Sequence, residues 1–188
     1  MAALGDLTGL AARISAKLTR EEIPHAVSGA IAMAAHGHVR ATIDLDILVV
    51  TESMRLPVVF EIVRRQGFEG DDRDLIDSLR TRYVAALRSG PVTVEILVPV
   101  LPYHHGIVDR AVRRPVSGEE VPFVGVEDLV ILKLLWRRAK DLADLQALVA
   151  ATPDLDAEFV RATLAEILPA EDPRRAEFED LVSKFGRD

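Results

Sequence analysis

The segment 43–50 (IDLDILVV) limits the fold of this chain more than any other, because it is almost wholly aliphatic and yet carries two carboxylates. A β-branched and aliphatic run of this length predicts a strand. Side chains alternate between the two faces of a strand, so Asp44 and Asp46 share one face while Leu45 and Ile47 share the other. The chain is therefore expected to contain a sheet on which two acidic side chains stand roughly 7 Å apart.

This acidic pair has two interpretations. Two carboxylates flanked by aliphatic residues are partly desolvated and repel each other, and a divalent cation relieves that repulsion. Mg²⁺ prefers hard oxygen ligands of this kind. The alternative is a half-buried strand whose polar face simply meets solvent, and the D-x-D spacing of Asp44 and Asp46 alone does not distinguish the two.

A third carboxylate occurs in a second aliphatic run, VTVEILV at residues 92–98. Period-two alternation places Glu95 on the face opposite Val94 and Ile96. A charged residue within so apolar a strand costs free energy unless it is solvated, paired or bound to a metal. If this strand neighbours the first, three carboxylates converge in the geometry of two-metal phosphoryl or nucleotidyl transfer. Otherwise Glu95 is an edge-strand residue that faces water.

The residues before the acidic strand offer candidate phosphate contacts. Ser28-Gly29 stands between a predicted strand and a predicted helix, where a small residue and a glycine let a phosphate approach the backbone. The alternative is an ordinary helix N-cap serine followed by a turn glycine. Arg40 and Thr42 come just before the carboxylates, where each could either touch phosphate or hold the loop in place.

The remaining patterns predict an α+β fold with a mixed sheet flanked by helices. Apolar periodicity predicts a first helix over residues 7–20, and residues 83–98 are typical of two strands joined by a tight hairpin at Gly90-Pro91. Beyond residue 126 the pattern is helical apart from proline breaks. We therefore expect an α/β core at residues 1–125 and a C-terminal helical region at residues 126–188 packed on it.

A basic stripe is predicted on the late helical segment 127–151, which contains at most one break. If residues 127–146 form one helix, four charged side chains fall at i, i+4, i+7 and i+11, namely Lys133, Arg137, Lys140 and Asp144. Mutually repelling cations suit a surface that faces a triphosphate, with Lys133 as the first candidate. The alternative is a solvated face with Arg137–Asp141 and Lys140–Asp144 ion pairs, which contribute little.

Composition excludes several classes of protein. Cysteine is absent, which removes disulfides and thiolate chemistry, and no apolar run approaches the roughly 18 residues of a membrane span. The N-terminus lacks the pattern of a secretory signal, so a cytoplasmic protein with no membrane partner is expected. Residues 141–188 have 5 basic and 12 acidic side chains, and this difference alone accounts for the net charge of −7 of the whole chain. This balance disfavours strong non-specific binding to nucleic acid.

Taken in order, these motifs resemble the nucleotidyltransferase superfamily related to DNA polymerase β. The resemblance covers residues 26–50, 91–98 and 126–148, and it is most similar to the AbiEii-like or MenT-like toxin branch and small relatives. The superfamily signature is a Gly-Ser or Gly-Gly turn, a helix, a D-x-[DE] strand and a third acidic strand residue. The turn in this chain reads Ser-Gly instead.

The resemblance implies a role for each matching position. Ser28 and Gly29 take the place of the phosphate turn, while Asp44, Asp46 and Glu95 take that of the catalytic ligands of two Mg²⁺ ions. Lys133 would assist catalysis by holding the triphosphate. The remaining candidate nucleotide-binding residues are Arg40, Thr42, Arg137, Lys140, Asp141 and Asp144.

The implied reaction moves an NMP from an NTP such as ATP to an acceptor hydroxyl. In the toxin branch the acceptor would be an RNA (tRNA) 3′ end, and a cognate antitoxin protein would be the partner. Two alternatives stay open: the acceptor is a small molecule such as an aminoglycoside or a protein side chain, or the chain is a catalytically silent partner-binding module. Three strand carboxylates speak against the silent module.

Overall fold

The computed structural model describes residues 4–185, apart from the side chains of residues 4–6 and of Ala139. This part of the chain confirms the predicted α+β class, with a mixed sheet flanked by helices. Its elements are α1 (Leu4–Arg20), β1 (His25–Val27), α2 (Gly29–Ala35), β2 (Asp44–Val49), α3 (Leu56–Arg64), α4 (Asp72–Arg82), β3 (Val84–Ser89), β4 (Val92–Leu97), α5 (Tyr103–Asp109), β5 (Val112–Val116), β6 (Glu119–Phe123), α6 (Val126–Trp136), α7 (Ala139–Ala151), α8 (Ala157–Ile167) and α9 (Pro173–Phe185).

Six strands form one mixed sheet in the order β3-β4-β2-β1-β6-β5. The predicted hairpin is confirmed, since β3 and β4 are antiparallel with Ser89 opposite Val92. β2 runs parallel to β4 and antiparallel to β1, and β1 runs parallel to β6. The outer strands are β3 and β5, and β5 carries the sequence VRRPV with Pro115 inside it.

Burial follows the alternation that the sequence predicts for β2. Leu45 and Ile47 are fully buried, whereas Asp44 and Asp46 remain partly exposed. The predicted apolar stripe of α1, which includes Ile14 and Leu18, is also buried, and α1 packs on β6 and α3. The hydrophobic effect therefore holds the central strand from its aliphatic side and leaves its carboxylates accessible.

The chain divides into two compact units. The first contains the residues up to Ala35 and Val39–Val124, and thus the whole sheet with α1 to α5. The second contains His36–His38 and the residues from Gly125 onward, and is built from α6 to α9. Within residues 4–185, no helix is long and apolar enough to cross a membrane. The assignment of residues 1–125 and 126–188 as separate functional domains remains a prediction.

The single helix considered for residues 127–146 is wrong, because α6 ends at Trp136. Arg137 has φ 50° and ψ 42°, a left-handed conformation that a continuing helix cannot contain. Arg138 is extended and caps the start of α7, where its backbone N–H donates to Asp141 Oδ2 at 2.8 Å. The stripe of Lys133, Arg137 and Lys140 therefore does not exist as one helix face.

Candidate active site

The three predicted carboxylates lie on neighbouring strands of the first unit. The register of parallel strands β2 and β4 pairs Asp46 with Glu95 and Asp44 with Thr93. Residues paired directly across two strands project to the same face, as do residues two positions apart along one strand. Asp44, Asp46 and Glu95 therefore share one face, and all three are partly exposed. The adjacency on which the three-carboxylate hypothesis depends is present.

These carboxylates do not form a complete metal site by themselves. Like charges directly opposite each other in a sheet are destabilising, so the Asp46–Glu95 pair favours a nearby cation. Within the described part of the chain, no three or more His, Cys, Asp or Glu side chains are grouped so as to hold a metal ion by themselves. Mg²⁺ is usually held by one or two carboxylates together with substrate phosphates and water. The carboxylates could thus supply the protein's share of the ligands.

The Ser-Gly turn lies directly against Asp46. The Ser28 backbone N–H donates to the Asp46 carbonyl oxygen at 2.8 Å, which fixes the end of β1 to β2. Gly29 has φ +59°, and a Cβ placed there would lie 1.7 Å from Asp46 Oδ2. Glycine is therefore required at this position for two reasons. The backbone conformation is left-handed, and the Asp46 carboxylate occupies the space that a side chain would need.

Thr42 and Arg40 both contact the loop that leads into β2. Thr42 Oγ1 accepts a hydrogen bond from the Asp44 backbone N–H at 3.1 Å and lies at the same distance from the Asp44 carbonyl oxygen. Arg40 Nη1 donates to the Ala41 carbonyl oxygen at 3.3 Å. These contacts match the predicted alternative in which the two residues hold the loop, and a phosphate contact by either stays a prediction.

The register also brings a basic residue to this face that the sequence analysis missed. Arg88 on β3 pairs with Thr93, which pairs with Asp44, so the three residues form one row across the sheet. The Arg88 side chain is exposed, and its Nη1 lies 3.5 Å from Thr93 Oγ1. A signal was available, since a tight turn at Gly90-Pro91 determines which residues of the two strands face each other.

Lys133 is buried in the second unit rather than exposed. Its side chain is 7 % exposed, and Nζ lies 3.3 Å from Asp141 Oδ1 and 2.5 Å from Asp144 Oδ2. Helical spacing predicts an accessible helix face for Lys133, and that prediction is wrong because α7 packs against α6 and places both carboxylates beside it. The roles of Lys133, Asp141 and Asp144 toward a nucleotide stay predictions.

The charged network shifts the titration of Asp141. Burial of this carboxyl favours its neutral form, but the Arg138 backbone hydrogen bond and the charges of Lys133 and Arg138 outweigh that effect. The pKa of Asp141 consequently lies below its ordinary value. Asp141 is therefore ionised throughout the neutral range, as a buried partner of a lysine must be.

The other two cations of the expected stripe have separate surroundings. Arg137 is 56 % exposed on its side chain, and its Nε lies 3.0 Å from Glu177 Oε2 rather than near Asp141. Lys140 is exposed on α7. The ion pairs expected for a solvated face were Arg137–Asp141 and Lys140–Asp144. Arg137 contacts Glu177 instead, and the two aspartates contact Lys133.

The sequence matches the family model described as "Nucleotidyl transferase of unknown function (DUF2204)" over residues 9–174. No curated protein sequence matches the chain at a significant level.

Several solved structures share the fold. The solution structure of the antibiotic-resistance factor ANT(2'')-Ia has a TM-score of 0.58 and 17 % identity, covering 92 % of this chain and 95 % of that one. A crystal structure of ANT(2'')-Ia in complex with adenylyl-2''-tobramycin has a TM-score of 0.56 and 16 % identity, covering 92 % and 97 %. An antigenic nucleotidyltransferase-like protein from Paracoccidioides brasiliensis has a TM-score of 0.54 and 15 % identity, covering 97 % and 94 %. At these identities the likeness is one of fold.

Proposed function

We propose, from the premise that the chain belongs to the DUF2204 family of nucleotidyltransferases, that it uses Mg²⁺ to transfer an NMP from an NTP to an acceptor hydroxyl. The observation that carries this proposal is the register that pairs Asp46 with Glu95 and places Asp44 on the same face. Acidic residues on two adjacent strands can supply the ligands that two-metal phosphoryl transfer uses.

Each candidate residue of the first unit has a separate role in the proposed transfer. Asp44, Asp46 and Glu95 would hold two Mg²⁺ ions, which when bound neutralise the charge that develops on the triphosphate. Glu95 would also accept the proton of the acceptor hydroxyl. The acceptor oxygen then bonds to the α-phosphorus, the bond between the α- and β-phosphates breaks, and pyrophosphate leaves. The Ser28-Gly29 turn leaves room for the Asp46 carboxylate, and a phosphate contact at this turn stays a prediction.

Cations on the carboxylate face would orient the triphosphate. Arg88 stands in the same cross-strand row as Asp44, where a guanidinium can donate to phosphate oxygens. Arg40 and Thr42 remain further candidates at the start of β2. Arg137 and Lys140, exposed in the second unit, are candidates for the nucleotide or the acceptor. For Lys133, whose two buried carboxylates already neutralise it, we propose a structural role with Asp141 and Asp144.

Two acceptor classes follow from different observations. The motif order resembles toxins that act on RNA, which supports a tRNA 3′ end as the acceptor and an antitoxin protein as partner. The excess of acidic residues after position 140 favours a small cationic acceptor instead, because nucleic acid would be repelled. The fold likeness to ANT(2'')-Ia, solved with adenylyl-2''-tobramycin, supports this second class.

A labelling experiment tests the transfer and separates the acceptors. The protein is incubated with each α-labelled NTP and Mg²⁺, in parallel with total RNA, with tobramycin and with no added acceptor, and labelled RNA, small molecules and protein are resolved. Label in RNA supports the first class and label on tobramycin the second, whereas label on the protein itself indicates a side-chain acceptor. An Asp46→Asn preparation shows the background. Absence of label in every fraction contradicts the proposal.

A further inference from the structure

A cavity of about 430 Å³ lies in the first unit, at the carboxyl ends of the parallel strands β2 and β4. Thr51 and Ser53 line it after β2, and Val98 and Pro99 line it after β4. The candidate active site is elsewhere, because the acidic residues of β2 are the first and third of its six residues. In open sheets, the crevice outside the carboxyl ends of parallel strands is a common place for a ligand.

The wall of the cavity is partly apolar, and two basic side chains lie at its margin. Leu56 and Leu79 are buried and form part of its wall, while Arg80 from α4 and His105 from α5 are exposed at its margin. Arg80 has a carboxylate neighbour, Asp77, but the Nη1–Oδ1 distance is 3.7 Å and both side chains are well exposed. A pair of that kind contributes little, so the guanidinium can turn toward a second anion.

Tyr83 lines the cavity and has an unfavourable backbone conformation. Tyr83 ends α4 with φ 60° and ψ 16°, a left-handed position that glycine usually takes. Two backbone hydrogen bonds fix it there, from its own N–H to the Leu79 carbonyl oxygen at 3.0 Å and from the Val98 N–H to its carbonyl oxygen at 3.1 Å. Tyr83 as a whole is 45 % exposed. Strained residues of this kind concentrate at ligand sites.

We propose that this cavity binds a small amphipathic anion, with an aromatic or aliphatic body against Leu79 and Tyr83 and an acidic group toward Arg80 and His105. The volume lies within the range of about 300–1000 Å³ that is typical of small-molecule sites. The site is separate from nucleotidyl transfer, and its ligand need not be a substrate.

Two dyes with the same aromatic body test the proposal. The anion 8-anilinonaphthalene-1-sulfonate is compared with the uncharged N-phenyl-1-naphthylamine by fluorescence titration of the folded protein. We expect one saturable site per chain that prefers the anion. Arg80→Gln should weaken the anion by about three- to tenfold, the range of one net hydrogen bond, and leave the uncharged dye unchanged. Arg73→Gln, an exposed arginine of α4 outside the cavity, is the matched control.

Two further variants separate the cavity from adventitious surface binding. Ile76→Trp fills the cavity from α4 and should weaken both dyes, and Tyr83→Asn should do the same without lowering the melting temperature, because Asn tolerates the left-handed conformation. Circular dichroism confirms that each variant is folded. The proposal is overturned by non-saturable binding, by affinities that none of the three cavity variants changes, or by displacement of the dye from the parent protein by Mg²⁺-ATP.

Discussion

Asp46 is the residue on which the proposed chemistry most depends. Asp46→Asn keeps the side-chain volume but removes the charge that would hold Mg²⁺, so transfer should fall about 1000-fold, equivalent to about 4 kcal/mol. The folded apoprotein should be no less stable, because the variant removes the repulsion from Glu95 directly across the strand pair. Transfer assays and thermal melts measure the two effects.

Asp109→Asn, an exposed carboxylate of α5 in the same unit, is the control and should leave transfer unchanged. An Asp46→Asn protein that unfolds would show that Asp46 is structural. One that stays folded and retains full transfer would place the chemistry elsewhere.

Gly29 controls where the Asp46 carboxylate can lie. In Gly29→Ala the new methyl group would occupy the space of Asp46 Oδ2, so we expect the carboxylate to be displaced and transfer to fall at least about 100-fold. Gly90→Ala is a closely matched control, because Gly90 has φ +56° and no heavy atom lies within 4 Å of a Cβ built there. Both variants should lose about 1–2 kcal/mol of stability from backbone strain. Equal transfer rates in the two variants would contradict the positioning role.

Arg88 is predicted to contribute to nucleotide binding rather than to folding. Arg88→Gln should weaken Mg²⁺-NTP binding by about three- to tenfold in calorimetric titrations, since one charge-assisted contact to phosphate is lost. The free energy of unfolding should change by less than about 0.5 kcal/mol, because the side chain is exposed. Arg82→Gln, exposed on α4, controls for the change in net charge. An unchanged affinity of Arg88→Gln for Mg²⁺-NTP would show that Arg88 does not bind the nucleotide.

The corner between α6 and α7 depends on one buried lysine. Lys133→Met removes the cation that Asp141 and Asp144 share and leaves only Arg138 beside Asp141, so the free energy of unfolding should fall by about 3–5 kcal/mol in urea titrations. Lys140→Met, exposed in the same segment, should have little effect. Adding Asp141→Asn and Asp144→Asn to Lys133→Met should restore most of the loss. A stable Lys133→Met single variant that binds nucleotide more weakly would instead support the triphosphate role.

Local pattern was sufficient for the strands but not for this corner. Period-two alternation put Asp44, Asp46 and Glu95 on their correct faces, and the tight turn at Gly90-Pro91 defined the hairpin. The end of α6 has no such signal, because Arg137 adopts a conformation that favours glycine. The partners of Lys133 follow from how α7 packs against α6, which is a tertiary contact that helical spacing on one continuous helix cannot predict.

Acid should destabilise the whole molecule before its carboxylates titrate. Burial lowers the pKa of His25 below 6.5, although its ring Nδ1 lies 2.8 Å from the Ile23 carbonyl oxygen, which opposes the shift. The unfolded chain therefore takes up this proton first as the pH falls, and the stability present above pH 6.5 is lost as the pH drops through the folded pKa. Urea midpoints between pH 7.5 and 5 should decrease in the parent protein.

His25→Asn should flatten this dependence, whereas His105→Asn, which removes an exposed imidazole, should not. The same slope in the parent and in His25→Asn would assign the acid sensitivity to other groups.

The two outer strands, β3 and β5, influence whether the concentrated protein can aggregate by strand addition. An unpaired strand edge is a template on which further chains can add and form fibrils. At β5 that edge carries Arg113 and Arg114, which are exposed, and Pro115, which has no N–H to offer an incoming strand. At β3 the outer side is already engaged by Glu69, which exchanges two backbone hydrogen bonds with Arg88. Both outer strands therefore carry features that disfavour the addition of a further strand.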